Sequence, residues 1–377
     1  MDMIADGRVM MKNTFPAYYK KFRCIADRCP DTCCAGWAIV VDFESKEKYM
    51  HVGGRIGEKL RSHMSVDGDG DTVFVSETSR CPFLLDSNLC EIYSEIGENA
   101  LCNTCRQFPR HVTDLGSRKE TGISLSCPEA ARLIFESSEQ IEFETADEDI
   151  PIQPNDIDPT LYITLFRAQK TAINILQDRF YPISERLAAF MRYCEKIQKN
   201  IRNGNCSQLS AEKDYFSLPH PSEAKANRTV RGWFDLLDSL EKLDPDWRFS
   251  LDSAKNNALS DSKDYLDILS ANEWEAEHLA VYFFFRYFMT AVFDGNLIQK
   301  AKFVVFSVIT CLLLGSAQTD PLDRNQRIEA MRTFSKEVEH SAENMDAVFS
   351  KIKKSRHFGS DNIINILSSK FAPHKEK

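Results

Sequence analysis

Nine of the twelve cysteines fall before residue 128, and that crowding constrains the fold more than any other feature. They are Cys24, Cys29, Cys33, Cys34, Cys81, Cys90, Cys102, Cys105 and Cys127; the following 250 residues hold only Cys194, Cys206 and Cys311. A segment this rich in thiols is stapled by disulfides, organised by metal, or hides its thiols as small hydrophobes. The first residues carry Asp2, Asp6, Arg8 and Lys12 and no apolar stretch of signal-peptide length. The expected compartment is therefore the reducing cytoplasm, where clustered thiols are more often metal ligands than disulfides.

The spacing is C24-x4-C29-x3-C33-C34, then C81-P-F-L-L-D-x3-C90, then C102-x2-C105-R-x-F-P-R, then C127-P. Thiolates three to five residues apart converge when a tight loop carries them. Cys29, Cys81 and Cys127 each precede proline, which fixes the local backbone. All nine are candidate ligands. Four thiolates suit either Zn²⁺ or an iron–sulfur cluster. Zinc ribbons pair two C-x2-C knuckles, and here only Cys102/Cys105 has that spacing. Adjacent Cys33 and Cys34 rarely ligate one ion, so the pattern leans toward a cluster, or toward eight ligands for two centres with one spare. Cys127, before Pro128 and Glu129, is expected at a helix N-terminus, where the dipole favours a thiolate. Cys194 and Cys311 fit apolar helix faces, and Cys206 sits in a polar loop.

The expected fold is mainly α: a cysteine-rich module with short strands, residues 1–135, followed by an all-helical domain, residues 161–377. Trp37–Asp42 and Thr72–Val75 read as strands, and residues 44–63 as a helix interrupted at Gly53-Gly54. Between the domains, 136–160 holds nine acidic residues, no Lys or Arg, and Pro151, Pro154 and Pro159; it is expected to be a linker. Its acids equal the chain's net charge of −9, so the rest is neutral. Nucleic acid as a partner is not expected, because phosphate binding needs a basic footprint. The longest apolar run, Phe303–Leu314, is too short to span a bilayer, so no membrane partner is expected.

Asp67-Gly-Asp69-Gly-Asp71 starts like a calcium loop, but Thr72 and Thr78 stand where Gly and Glu are needed. Nothing resembles a phosphate loop or a dinucleotide fingerprint. Asn272-x-x-Glu275 resembles a capping box opening an all-round apolar helix, and residues 328–352 read as one amphipathic helix. Arg286 stands in the aromatic run Phe283–Phe288 of that apolar helix, where a guanidinium needs either an anionic ligand or a buried acid. His278 reads as a polar helix-end residue.

Three stretches carry a resemblance: F-R-C-I-A-D-R-C-P-D-T-C-C-A-G-W, C-P-F-L-L-D-x-N-L-C-E-I-Y through L-C-N-T-C-R-Q-F-P-R, and S-L-S-C-P-E-A-A-R. With E-H-L-A-V-Y-F-F-F-R-Y-F-M they resemble the flagellin lysine-N-methylase family. A broader relative is a cysteine-cluster family described as zinc- or iron-chelating. The resemblance implies a protein lysine N-methyltransferase acting on flagellin, using S-adenosylmethionine and carrying a [4Fe–4S] cluster, with Zn²⁺ as the alternative metal. No radical-type C-x3-C-x2-C motif maps onto the chain, since residue 36 is glycine. The competing class is a non-enzymatic metal-binding module, a flagellar escort or a redox protein. Arg286 is the one candidate contact for the methyl donor. Tyr93, Tyr282 and Tyr287 are rings on which its sulfonium could stack, and no catalytic residue is assigned.

Overall fold

Strand β1 (Met11–Pro16) buries Met11, Asn13 and Phe15 and leaves Lys12 and Thr14 half-exposed, the period-two pattern of a sheet with one covered face. The computed structural model describes residues 10–35, 37, 39–68, 70–76, 80–150, 155–205, 210–260, 272–316 and 323–371. Cys206 and Asp69 and Thr78 of the calcium-like stretch lie outside them. The chain divides into two units. One comprises Lys21–His111 and Ile123–Leu133; the other comprises Met1–Lys20, Val112–Gly122 and Ile134–Lys377.

In the first unit, β2 (Ile39–Val40) leads into α1 (Phe43–His51), whose N-terminus is capped by the Asp42 carboxylate accepting the Ser45 amide at 3.0 Å. Gly54, at φ +69°, turns the chain at the Gly-Gly break and starts α2 (Gly54–Ser62). β3 (Met64–Val66) and β4 (Thr72–Phe74) form a hairpin across residues 67–71, and β4 also pairs with β2. Two short helices follow, α3 (Glu91–Ile96) and α4 (Asn103–Gln107). Ile39, Val41, Tyr49, Ile56, Leu60, Phe74, Phe83, Ile92 and Cys102 make the core. Buried Glu91 joins α3 to α2 through Arg55 at 2.8 Å and Lys59 at 2.5 Å. After β5 (Arg110–Asp114) and β6 (Arg118–Ile123), α5 (Pro128–Ile134) opens with Pro128 at its first position.

In the second unit β1 runs parallel to β6 and antiparallel to β7 (Phe143–Glu148), in a sheet ordered β5-β6-β1-β7. β7 lies inside the acidic stretch expected as a linker. Its carboxylates are matched from the neighbouring chain: Lys12 reaches Asp147 at 3.2 Å, Lys20 reaches Glu144 at 2.6 Å and Lys119 reaches Glu148 at 2.6 Å. The cations lie on segments at least 24 residues away in sequence, so local composition does not reveal them.

The helices of this unit are α6 (Pro159–Leu176), α7 (Ile183–Arg202), α8 (Glu223–Asp238), α9 (Trp247–Leu259), α10 (Glu273–Tyr287) and the short α11 (Ala291–Asp294). α12 (Leu297–Gly315), α13 (Arg324–Glu339), α14 (Ala342–Lys354) and α15 (Ser360–Lys370) complete it. α12 is longer than the apolar run suggests and, by length and composition alone, could cross a bilayer. It is mostly buried among α7, α9, α10 and α13. The expected single helix over 328–352 is instead α13 and α14, because the Ser341 hydroxyl caps a new start by accepting the Asn344 amide at 3.2 Å. The expected capping box at α10 does not form: the Asn272 side chain makes no capping bond, and Glu275 turns to Arg327 at 2.7 Å.

Candidate functional site

All nine early cysteines belong to the first unit, and no disulfide links the described cysteines. Local structure brings them together from four segments. Cys33 and Cys34 sit in a turn in which Thr32 Oγ1 accepts the Cys34 amide at 3.0 Å. The Cys34 carbonyl accepts the Cys81 amide at 2.6 Å, and a bridge between Ala35 and Arg80 extends the pairing. From Cys81 the chain turns through Asn88, at φ +60°, and returns so that Leu84 bridges Cys90. Cys90 and Cys102 are N-cap residues of α3 and α4. The start of α4 is fixed by Asp42 Oδ2, which accepts the Asn103 amide at 2.7 Å, and by Thr104, which donates to the Val40 carbonyl at 2.7 Å. One turn on, Cys105 returns to Cys102. Cys81, Cys90 and Cys105 pack against the core that buries Cys102.

The thiols perturb one another. Cys33 donates a hydrogen bond to Cys34, which with Thr32 and Arg80 brings the Cys34 thiol down to about 7. Cys105 donates in the same way to Cys102 and lowers it. Burial raises Cys90 and pushes Cys81 up to about 12, with Cys34 and Cys102 adding to both. Cys127 precedes α5 as expected, and the amides of Ala130 and Glu129 bond its sulfur. Burial outweighs them, and the thiol is pushed up to about 11. Helix-terminal stabilisation of a thiolate is therefore present and overridden. Cys194 and Cys311 are fully buried in the helical unit.

Among the described residues no three His, Cys, Asp or Glu side chains are arranged to hold a single metal ion. The donors of this unit are nonetheless thiols, the soft ligands that iron–sulfur clusters and Zn²⁺ accept. A cubane of four irons takes its thiolates at four separate corners and does not need them to converge on one point. In chemistry and number the thiols fit that group.

In the helical unit, Arg286 has found a buried acid. Its Nε lies 3.2 Å from Glu339 Oε1 and its Nη1 donates to the Tyr282 hydroxyl at 2.8 Å. Glu339 also accepts from Tyr287 at 2.7 Å and from Ser335 at 2.5 Å. Tyr282 and Tyr287 are thereby committed to this network, whereas the ring of Tyr93 is half-exposed beside Cys90. His278 is not a helix-end residue. It is buried, with Nδ1 2.8 Å from the Ile134 carbonyl and Nε2 2.7 Å from that of Glu139, stacked on Phe135. Burial lowers its pKa.

The burial and pairing of Glu120, Glu275 and Glu277 escape sequence reading. Glu277 accepts from Arg179 and Arg186, and Glu275 from Arg327. Glu120 on β6 accepts from Gln169 at 2.7 Å, while its second oxygen has no hydrogen-bond partner. Their one sequence signal is acid at positions otherwise patterned for a core.

The family model described as the FliB lysine N-methylase C-terminal domain matches residues 169–367, more than half of the chain. A lysine-N-methylase of Salmonella typhimurium is 30% identical over 135 residues, 32% of each chain. A flagellar biosynthetic protein, FliU, of Salmonella muenchen is 29% identical over 133 residues, covering 32% of this chain and 76% of its own length. A lysine-N-methylase of Salmonella choleraesuis is 30% identical over 135 residues, again 32% of each. The match thus spans about a third of the length of the curated lysine-N-methylases. No solved structure matches the chain.

Proposed function

Because this chain belongs to the FliB lysine N-methylase family, we propose that it is a protein lysine N-methyltransferase acting on flagellin. In this reading S-adenosylmethionine is the methyl donor and a [4Fe–4S] cluster is held by thiols of the first unit. Zinc is the alternative metal. The reaction forms N–CH₃ on the lysine ε-amine as the donor's S–CH₃ bond breaks, leaving S-adenosylhomocysteine as the neutral thioether and releasing the amine's proton. The donor supplies an electrophilic methyl group, and the cluster supplies a thiolate-ligated iron centre. What remains for the chain is to hold the amine neutral, in line and away from water.

The observation that carries the reading is that, in a methylase-family chain, Cys81, Cys90 and Cys105 pack with buried Cys102 on one apolar core. Names of relatives support the substrate class, since two are called lysine-N-methylases and one a flagellar biosynthetic protein. Arg286 was the sequence candidate for the donor. With Glu339 already against its guanidinium, it serves better as an ordering element of the helical unit than as an anion clamp. Of the three candidate rings we favour Tyr93, because its exposed face could stack on a sulfonium.

The test is incubation of anaerobically purified full chain with methyl-labelled S-adenosylmethionine and flagellin, reading label on lysine by mass spectrometry. Time-dependent lysine methylation is expected, with Tyr93→Ala raising KM for the donor. Bound iron or zinc with no methyl transfer would favour the non-enzymatic escort or redox reading instead.

A further inference from the structure

The sheet β5-β6-β1-β7 carries a polar layer on one face where a covering helix normally meets apolar residues. Alternate residues of a strand share a face, so Arg118 and Glu120 of β6 project to the same side. Pairing with β1 sets Thr14 on that side, and Arg118 Nη2 donates to its hydroxyl at 2.7 Å. Helix α6 covers the layer. Its Gln169 Nε2 donates to Glu120 Oε1 at 2.7 Å, and its Phe166 ring lies 4.8 Å from the Arg118 guanidinium. Tyr162, one turn before Phe166, stacks on that ring and is perturbed by both Arg118 and Glu120. All these residues belong to the helical unit.

Two atoms of the layer are unmet. Among the described residues, buried Glu120 Oε2 and buried Arg118 Nε have no hydrogen-bond partner, so they do not bond each other. Glu120 is 3% exposed, and a carboxyl so placed is costly unless its hydrogen bonding is completed. One orphan accepts and the other donates, and they belong to groups of opposite formal charge. Their complement is an N–H cation beside an oxygen anion, the arrangement of an α-ammonium next to an α-carboxylate. A metal ion alone would leave Arg118 unmet, and a phosphate would be repelled by Glu120. Water bonds both atoms but matches neither charge. Burial pushes the Glu120 carboxyl up to about 7, and an ammonium against Oε2 would hold it ionised. Phe166, 38% exposed, and half-buried Tyr162 are the more open members of the layer, toward which the remainder of such a ligand would extend.

We propose that Glu120 and Arg118 bind the α-amino-carboxylate group of a small ligand, Glu120 accepting from its ammonium and Arg118 donating to its carboxylate. Gln169 and Thr14 hold the two side chains in place. Two sources carry that group: S-adenosylmethionine, in its methionyl end, and a free amino acid. The first source rests on the methyltransferase reading, and the second does not.

Full-length protein is titrated calorimetrically with S-adenosylhomocysteine, with methylthioadenosine, which lacks the amino-carboxylate, and with L-methionine and L-lysine. With the donor as source, S-adenosylhomocysteine should bind about ten- to hundredfold more tightly than methylthioadenosine, the factor expected for hydrogen bonds to charged groups. Glu120→Gln, which keeps the side chain's shape, and Arg118→Gln should each weaken S-adenosylhomocysteine by a similar factor and leave methylthioadenosine unchanged. With a free amino acid as source, methionine or lysine should depend on both residues and S-adenosylhomocysteine should not. Circular dichroism checks each variant, and Arg118→Lys, which loses the guanidinium fork, replaces Arg118→Gln if that protein does not fold. Equal weakening of both nucleosides by Glu120→Gln overturns the proposal, as does binding of none of the four ligands in a way that depends on Glu120; the layer is then structural and its orphans are met by water. Amino-carboxylate binding that depends on both residues, without methyl transfer to flagellin, sinks the methyltransferase reading alone. Methyl transfer with ligand binding indifferent to both residues sinks this inference alone.

Discussion

Replacing Glu277 by glutamine should destabilise the helical unit by about 3 kcal/mol, because it leaves a guanidinium buried beside a neutral amide. Glu277 has no solvent exposure and accepts from Arg186 Nη1 at 2.6 Å and from Arg179 at 2.8 and 2.9 Å. Arg186 is 1% exposed; its other acceptors are the Leu176 carbonyl at 2.9 Å and the more distant Glu273 at 3.4 Å. Removing one partner of a buried pair costs roughly 3–5 kcal/mol. Arg179 is 40% exposed, so its share is closer to the 0–1 kcal/mol or so of a surface pair. Glutamine keeps one acceptor oxygen, which places the loss at the low end. In a unit of this size that corresponds to a fall in Tm of about 6–12 °C. Urea unfolding followed by tryptophan fluorescence is a suitable assay, since Trp233, Trp247 and Trp274 lie in this unit and only Trp37 in the other. The paired apolar variant Glu277→Met/Arg186→Met should recover most of the loss, because neither charge is then stranded. A loss under about 1 kcal/mol for Glu277→Gln, or a double variant no better than the single, would refute the argument.

Glu120 gives a pH dependence of opposite sign to the usual carboxylate. Burial pushes its carboxyl up to about 7 from an ordinary value of 4.5, so the fold favours the protonated form. Its contribution is full below about 4.5 and is lost as pH rises through 7; Glu120→Gln should flatten that decline in a stability–pH series. Glu91 runs the other way, held low chiefly by its hydrogen bond from Lys59. Its stabilisation is present above the unfolded carboxylate value and fades as acid protonates it, and Glu91→Gln should remove that acid-side loss in the same titration. Gly57→Ala would drive a Cβ into the Val52 carbonyl, which also accepts from Arg61 at 2.8 Å. A loss of about 1–3 kcal/mol in chemical denaturation is expected, and an unchanged midpoint would count against the packing described. Chelation under anaerobic conditions should render residues 20–130 protease-sensitive while the helical domain resists; equal resistance with and without metal would argue against metal-dependent folding.

Elements with a strong local signature were legible in the sequence. The Gly53-Gly54 break, the strand pair around Ile39 and Phe74, the helix after Cys127 and the buried helix around Phe283–Phe285 all follow from periodicity, turn residues or a proline. The four-stranded sheet was not legible. β1 and β6 are short and largely polar, and β7 reads as acidic chain because the lysines that neutralise it lie on other segments. The buried acid required by Arg286 could be expected from burial cost, but its identity, Glu339, could not, because 52 residues separate the two. The cysteines were legible as a set from spacing. The packing of Cys81, Cys90 and Cys105 with buried Cys102 was not, since it depends on how the separate segments fold onto one core.

Because β1 belongs with the helical unit while Lys21–His111 and Ile123–Leu133 belong to the cysteine unit, the latter is an insertion in the chain path of the former. During synthesis β1 leaves the ribosome more than 100 residues before its partner strands β6 and β7. The sheet therefore closes late and over a long loop, the kind of contact that slows folding. The cysteine unit can be complete, and loaded if metal is present, while β1 is still waiting. A cut before β7 takes a strand from the sheet, and a cut between β7 and α6 parts the sheet from the helices of its own unit, so expression as two halves divides a folding unit rather than a linker. Transposing the β1 segment to follow β7 directly would shorten that wait and should speed closure of the sheet without touching a single cysteine.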